Sequence, residues 1–348
     1  MTLTPPETPP APVRKSPSFL GASPLRSLVW TASALMMAAV LTPLLSLGAL
    51  CLPGPLAQEK TIIVAHGATA AEIGAQLAQE KAVYLSPLFR LAARLVAKGF
   101  LKAGEYALPA HISAIEIARM VHEGRSVVRL FTAAEGLTSA EIAHLLNDDP
   151  VLTGTIDATP AEGSLLPETY RYSYGDTRAG IIVRMQKAMQ EKINEIWGNR
   201  QADLSIQSAE EVLILASIVE KETGRPEERP RIAGVFYNRL SKKMRLQSDP
   251  TVIYALTKGQ KTLDRPLTHD DLSFASPYNT YAHDALPPHP ICNPGRAALE
   301  AVAHPEHNEF LYFVADGSGG HAFAPDLATH NDNINRWHRA MGKAAARP

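Results

Sequence analysis

From Leu28 to Leu52 the chain carries no charged residue. Those 25 residues, at about 1.5 Å each, exceed the roughly 30 Å hydrocarbon core of a bilayer. The stretch therefore predicts a membrane-spanning helix, with a kink at Pro43 that such helices tolerate. A cleaved signal peptide fits less well, because its apolar region is shorter and the leading tail here is long. Arg14, Lys15 and Arg26 precede the stretch, and the first charges after it are Glu59 and Lys60. The positive-inside bias then keeps residues 1–27 in the cytoplasm and exports everything from about residue 53. Residues 1–27, rich in proline and poor in apolar side chains, predict a disordered tail. The expected location is the inner membrane, single-pass, with the bulk of the chain periplasmic.

With 34 basic and 35 acidic residues, the chain has no basic footprint for nucleic acid. Its two cysteines, Cys51 at the end of the apolar stretch and Cys292 in a proline-rich segment, offer no disulfide framework. The exported part must hold together through its own core.

Past the apolar stretch, "TIIVAHG" reads as a short strand. Thr69-x-x-Glu72, Ser113-x-x-Glu116, Thr138-x-x-Glu141 and Ser208-x-x-Glu211 are capping boxes, each marking a helix start. Helical spacing puts Ile73 with Leu77, and Ile142 with Leu146, on one face. The first two helices, with "GEYALP" and "VVRLFTA", suggest a small α/β module over 60–130. A second domain over 131–348 mixes helices with long loops rich in proline and aromatics, the texture expected around a cleft. Tyr170, Tyr172, Tyr278 and Tyr281 are candidates for stacking on sugar faces there, or for packing the loops. The expected fold class is α+β.

The segment "SAEEVLILASIVEKETGRPEERP" is the most informative. Val212 to Val219 is apolar apart from Ser217, so the helix is buried nearly all round, and Gly224 and Pro226 stop it. Three charges close it. Glu222 has Arg225 three residues on, whereas Glu220 has Ala216, Ser217 and Gly224 at the neighbouring helical positions. Apolar surroundings and the negative end of the helix dipole would favour the protonated form of Glu220, as a general acid needs. A solvated glutamate at the helix end is the plain alternative.

The run "LASIVEKETGRPEERPRIAGVFYNRL", followed by "LQSDPTVIYAL", "SPYNTY", "LPPHPICNPG" and "LYFVADGSGGHAF", resembles the MltG/YceG-like family of endolytic murein transglycosylases. The likeness covers roughly residues 60–338. It implies a LysM-like subdomain at 60–130 ahead of a catalytic domain at 131–348. It also implies cleavage of the glycosidic bond between N-acetylmuramic acid and N-acetylglucosamine in nascent strands, leaving 1,6-anhydro ends and terminating strand growth. No cofactor or metal is expected. Peptidoglycan strands are the expected partner, and peptidoglycan synthases are candidate partners. The resemblance is taken to place the acid at Glu220, with Glu222 as a neighbour of no catalytic role. Glu162, Asp249, Asn279, Tyr281 and His321 are implied substrate-binding candidates. Asp249, before Pro250, also reads as a helix N-cap. Ala285, His289 and Thr329 depart from the family pattern in the loops.

Two other classes fit less of the sequence. A metal hydrolase would draw on "HPEH" (His304, Glu306, His307), but Pro305 interrupts it and no HExxH helix is present. A non-catalytic wall-binding scaffold would bind glycan without cutting it.

Overall fold

The computed structural model describes residues 24–345, with the side chains of 24–27, 40, 43–46 and 341–345 outside that description. The expected tail at 1–27 thus lies almost wholly outside the described residues. Helix α1 spans Pro24–Cys51. Among the described residues no helix is long and apolar enough to cross a membrane. Within α1 the longest run of described side chains, 28–39, is exposed throughout, including Leu28, Trp30, Leu35 and Met36.

The chain divides into two compact units: residues 1–60, 68–101 and 108–123 form the first, and 61–67, 102–107 and 124–348 the second. In the first, α2 (Ala70–Gln79), α3 (Ser86–Ala97) and α4 (Ala114–Glu123) follow α1. The boxes at Thr69–Glu72 and Ser113–Glu116 both form. Ile73 and Leu77 are buried on one face of α2, as their spacing requires. Helix α3 carries no such start signal: Leu85 makes no side-chain cap and Pro87 opens the first turn. Its buried face is Phe89, Ala92, Ala93 and Ala97. Gly54 lets the incoming chain lie against the Ile112 carbonyl, which would stand 2.3 Å from any Cβ there.

Among the described residues there are three two-stranded sheets, their strands lying wholly or mostly in the second unit. β1 (Lys60–Val64) joins β2 (Gly104–Leu108), and β5 (Tyr312–Ala315) joins β6 (His321–Ala324). β3 (Arg129–Thr132), from "VVRLFTA", pairs antiparallel with β4 (Thr169–Tyr172) in the larger unit. It does so because Phe131 and Tyr172 bury against Leu146, Ile181 and Met185. The helices are α5 (Ser139–Asn147), α6 (Arg178–Gly198), α7 (Ala209–Glu222), α8 (Arg229–Ser241), α9 (Asp249–Thr257), α10 (His269–Leu272), α11 (Arg296–Ala303) and α12 (Leu327–Ala345). The architecture is α+β. Helix α7 is its centre: Val212 and Ile214–Val219 are buried, in a core shared with α6, α8 and α11. The loop before α11 is tied to it, since Ile291 donates its N–H to the Ser217 hydroxyl at 3.0 Å.

Candidate active site

Helix α7 ends in two carboxylates whose surroundings differ. Glu220 is not the isolated group its helical neighbours suggest. Arg229 donates to its Oε1 at 2.8 Å and the Gly295 N–H to its Oε2 at 2.8 Å. Its side chain is only 4 % exposed, and that of Arg229 9 %. Glu135 approaches the same guanidinium at 3.5 Å. Gly295 has no side chain because the Glu135 carboxylate lies where its Cβ would be. Burial and the negative Glu220 push the Glu135 carboxyl up, against the pull of Arg229. Glu220 lines none of the cavities described below.

Glu222 does. It sits on the wall of a cavity of about 430 Å³ with Arg239, Asp249, Tyr281, Tyr312, His321 and His330 among the lining residues. The Ser248 hydroxyl donates to Glu222 Oε1 at 2.5 Å. Burial pushes the Glu222 carboxyl up to about 7, with the negative Asp249 adding to it and the Ser248 bond and Arg239 opposing. Arg225, the partner expected from spacing, instead donates to the Ser318 carbonyl at 2.7 Å.

The other walls are held by backbone bonding. Ser248, not Asp249, is the N-cap residue of α9, and its side chain serves Glu222 rather than the helix. Asp249, the first residue of α9, accepts from the Tyr281 hydroxyl at 2.6 Å, so its expected capping role does not hold. Arg239 donates to the carbonyls of Leu311 and Leu246 at 2.6 and 2.9 Å, bracing the loop that leads to Ser248. His330 stacks on Tyr312 with ring centres 5.1 Å apart, its buried Nδ1 without a hydrogen-bond partner among the described residues. Burial lowers its pKa.

Of the five residues implied as substrate-binding, three meet here: Asp249, Tyr281 and His321. Glu162 lines a different cavity, of about 550 Å³, with Tyr254, Tyr278 and His289. Its Oε1 accepts the Ser139 N–H at 2.7 Å at the start of α5, and burial raises its carboxyl against that bond. Asn279 is fully buried and lines neither cavity. Its amide donates to the carbonyls of Leu272 and Phe274 at 3.0 and 2.8 Å, and its oxygen accepts the Tyr281 N–H. It shapes the loop that presents Tyr281. Tyr170 and Tyr172 are packing residues, bonded to the Leu166 carbonyl and to Asp149.

In "HPEH", His304 lies 2.9 Å from the Asn199 carbonyl and Glu306 pairs with Arg231. Of the three departures, Ala285 adopts φ 66°, a conformation that favours glycine. His289 stands 3.9 Å from Glu210, and Thr329 donates to Asp326 at the start of α12. Ser248, Arg239 and Glu228 were not singled out in the sequence. Only their closeness to "IVEKE" and "SDPT" could have flagged them.

The YceG-like family profile matches residues 62–336. The chain is 41% identical over 174 residues to the endolytic murein transglycosylase of Bacillus subtilis, covering 49% of this chain and 46% of that protein. It is 27% identical over 321 residues to the protein of that name from Streptococcus pneumoniae strain D39, covering 79% of this chain and 57% of the relative. The matches thus span about half the length of these curated relatives. A crystal structure of a YceG-like protein from Listeria monocytogenes has 32% identity and a TM-score of 0.50, over 79% of this chain and 99% of that one. A family match that runs over residues 62–336 of 348 means that the chain belongs to the YceG-like family.

Proposed function

We propose that this chain is a membrane-anchored lytic transglycosylase of peptidoglycan, with Glu222 rather than Glu220 as its catalytic acid. The observation that carries the proposal is the Glu222 carboxyl, pushed up to about 7 on the wall of a polar cavity beside Asp249, Tyr281 and His321. A group poised there is protonated often enough to give a proton near neutral pH and ionised often enough to regain it. Glu222 protonates the oxygen linking N-acetylmuramic acid to N-acetylglucosamine, and the C1–O bond breaks. The oxocarbenium-like sugar is closed by its own 6-hydroxyl, whose oxygen bonds C1 while its proton returns to the enzyme. An intramolecular nucleophile thus replaces the second carboxylate that hydrolytic glycosidases use. The names of the two relatives support this chemistry and an internal cutting position.

In this reading residues 28–52 anchor the chain in the inner membrane with the N-terminus inside. The uncharged stretch and the exposed apolar side chains of α1 support it. A reporter fused after Pro348 should be active only on the exported side. Residues 60–130 are a LysM-like module that positions glycan, ahead of the catalytic domain at 131–348. A folded chain lacking the module that still binds strands as well as the parent would remove that assignment. Synthases are the proposed partners and strand termination the proposed outcome.

Mass spectrometry of purified strands after digestion tests the reaction. Internal cuts with 1,6-anhydro-muramoyl ends are expected. Ends heavier by one water would make the protein a hydrolase, and binding without any cut would make it a scaffold.

A further inference from the structure

The Glu222 cavity contains a second group built for proton handling. His321 opens β6, and its ring is fixed from behind by Glu228 in the turn Pro226–Glu228 that follows α7. Glu228 Oε1 accepts the His321 backbone N–H at 3.0 Å, and its Oε2 lies 2.7 Å from Nδ1. Thr223, the residue after Glu222, donates its hydroxyl to the same Oε2 at 3.1 Å. Burial alone would raise the Glu228 carboxyl, but these bonds outweigh it and hold it below the usual range. The approach is possible only because Gly320 lacks a side chain: a Cβ there would stand 2.6 Å from Glu228 Oε1. Phe313 meets the ring edge-on at 5.4 Å, fixing its plane.

An ionised carboxylate only accepts, so Nδ1 carries a hydrogen, and in the neutral ring the lone pair is then the one on Nε2. No protein group bonds Nε2 among the described residues, and His321 lines the cavity that holds Glu222.

We infer that His321, oriented by Glu228, is the residue that finishes the cut: Nε2 accepts the sugar's 6-hydroxyl and aims its oxygen at C1. This rests on the transglycosylase reading of the Glu222 cavity and divides the proton transfers it requires. Glu222 gives its proton to the departing oxygen and becomes a carboxylate. As O6 bonds C1, the O6 proton passes to Nε2, and Glu228 stabilises the imidazolium so formed. The imidazolium releases that proton to solvent and Glu222 takes one back, so both groups are reset and no water is consumed. The pair therefore sets the choice between ring closure and hydrolysis.

His321→Asn is the discriminating variant. The asparagine amide takes the place of Nδ1–H and keeps the Glu228 contact, but nothing replaces Nε2. We expect kcat on purified strands to fall roughly 10²-fold or more, with KM and melting temperature little changed. A measurable share of product ends should now be heavier by one water. Glu228→Gln, which keeps a polar group beside Nδ1 but lets the ring hold the other tautomer, should shift the products the same way. Anhydro ends alone from a folded His321→Asn enzyme would overturn the inference, whatever its rate. Wild-type product carrying only hydrolysed ends would overturn the transglycosylase reading beneath it, a result distinguishable because it needs no variant.

Discussion

At the last turn of α7 two glutamates of one helix end meet opposite surroundings, one paired with a guanidinium and one on the wall of a cavity. Residues two apart on an α-helix lie about 200° around the axis from each other, so Glu220 and Glu222 cannot share surroundings. Toward Glu220 the chain has brought a guanidinium and a backbone N–H within 2.8 Å, and solvent is excluded. Toward Glu222 it has brought a hydroxyl, a second carboxylate and a cavity. A charge that is fully paired is suited to clamping α7, α8 and the 293–295 loop together. A carboxyl with burial but no cation in contact is suited to exchanging a proton. The difference lies in what reaches the group, since the residue type and the helix are the same.

Exchanging the two glutamates for glutamine tests that division most strongly. Glu222→Gln should lower strand cleavage by roughly 10²–10⁴-fold, because the amide fills the same space but can neither give nor take the proton. Glu220→Gln, assayed where it remains folded, should keep most of the rate per folded molecule. If the rates fall the other way round, the roles assigned to the two faces are reversed.

Much of the scaffold was readable in advance, for local reasons. The boxes at Thr69, Ser113 and Thr138 form because each needs only a residue three positions away. At Ser208 the box is half made: Ser208 accepts from Glu211 N–H, while Glu211 reaches the Gln207 N–H. The buried face of α7 followed from its apolar run. Asp249, Tyr281 and His321 came by resemblance, and they do line one cavity. What could not be read was how differently Glu220 and Glu222 are surrounded. Helical spacing sees partners three or four residues away. Arg229 lies nine residues on, past a break in the helix, and Gly295 seventy-five. Arg225, the one cation at the right spacing from Glu222, turns to Ser318 instead. The same limit hid the partnership of β3 with β4 and the burial of Asn279, both set by distant parts of the chain.

Stability sharpens the contrast from the Glu220 side. Its replacement by glutamine leaves the Arg229 guanidinium buried with only Glu135 at 3.5 Å for a counter-charge. Breaking a buried pair from one side costs roughly 3–5 kcal/mol, and glutamine should sit at the lower end because it still accepts from Gly295. Urea denaturation of Glu220→Gln against wild type measures this. A loss under about 0.5 kcal/mol, the range of ordinary surface changes, would mean that the pair is not a clamp.

The Glu222 side should show a smaller effect with its own pH signature. The carboxyl stands at about 7 in the folded protein against 4.5 for the free group, so between those values the native state holds the extra proton. Stability from this group is therefore fully present below pH 4.5 and drains away as pH rises through 7. Glutamine does not titrate, so Glu222→Gln should gain on wild type across that window. From pH 5 to pH 7 the relative gain should be on the order of 2 kcal/mol, since holding one extra proton in the native state changes stability by about 1.4 kcal/mol for every pH unit crossed. Paired urea titrations at pH 5, 6 and 7 isolate it, because every other titrating group is common to both proteins. The cleavage rate of wild type should fall as pH rises through 7, as the acid form needed for the first proton transfer is lost. A stability difference that stays flat from pH 5 to pH 7 would show that Glu222 is already ionised in the native state. The proton would then have to come from another residue of the cavity, and the contrast between the two faces would no longer explain the chemistry.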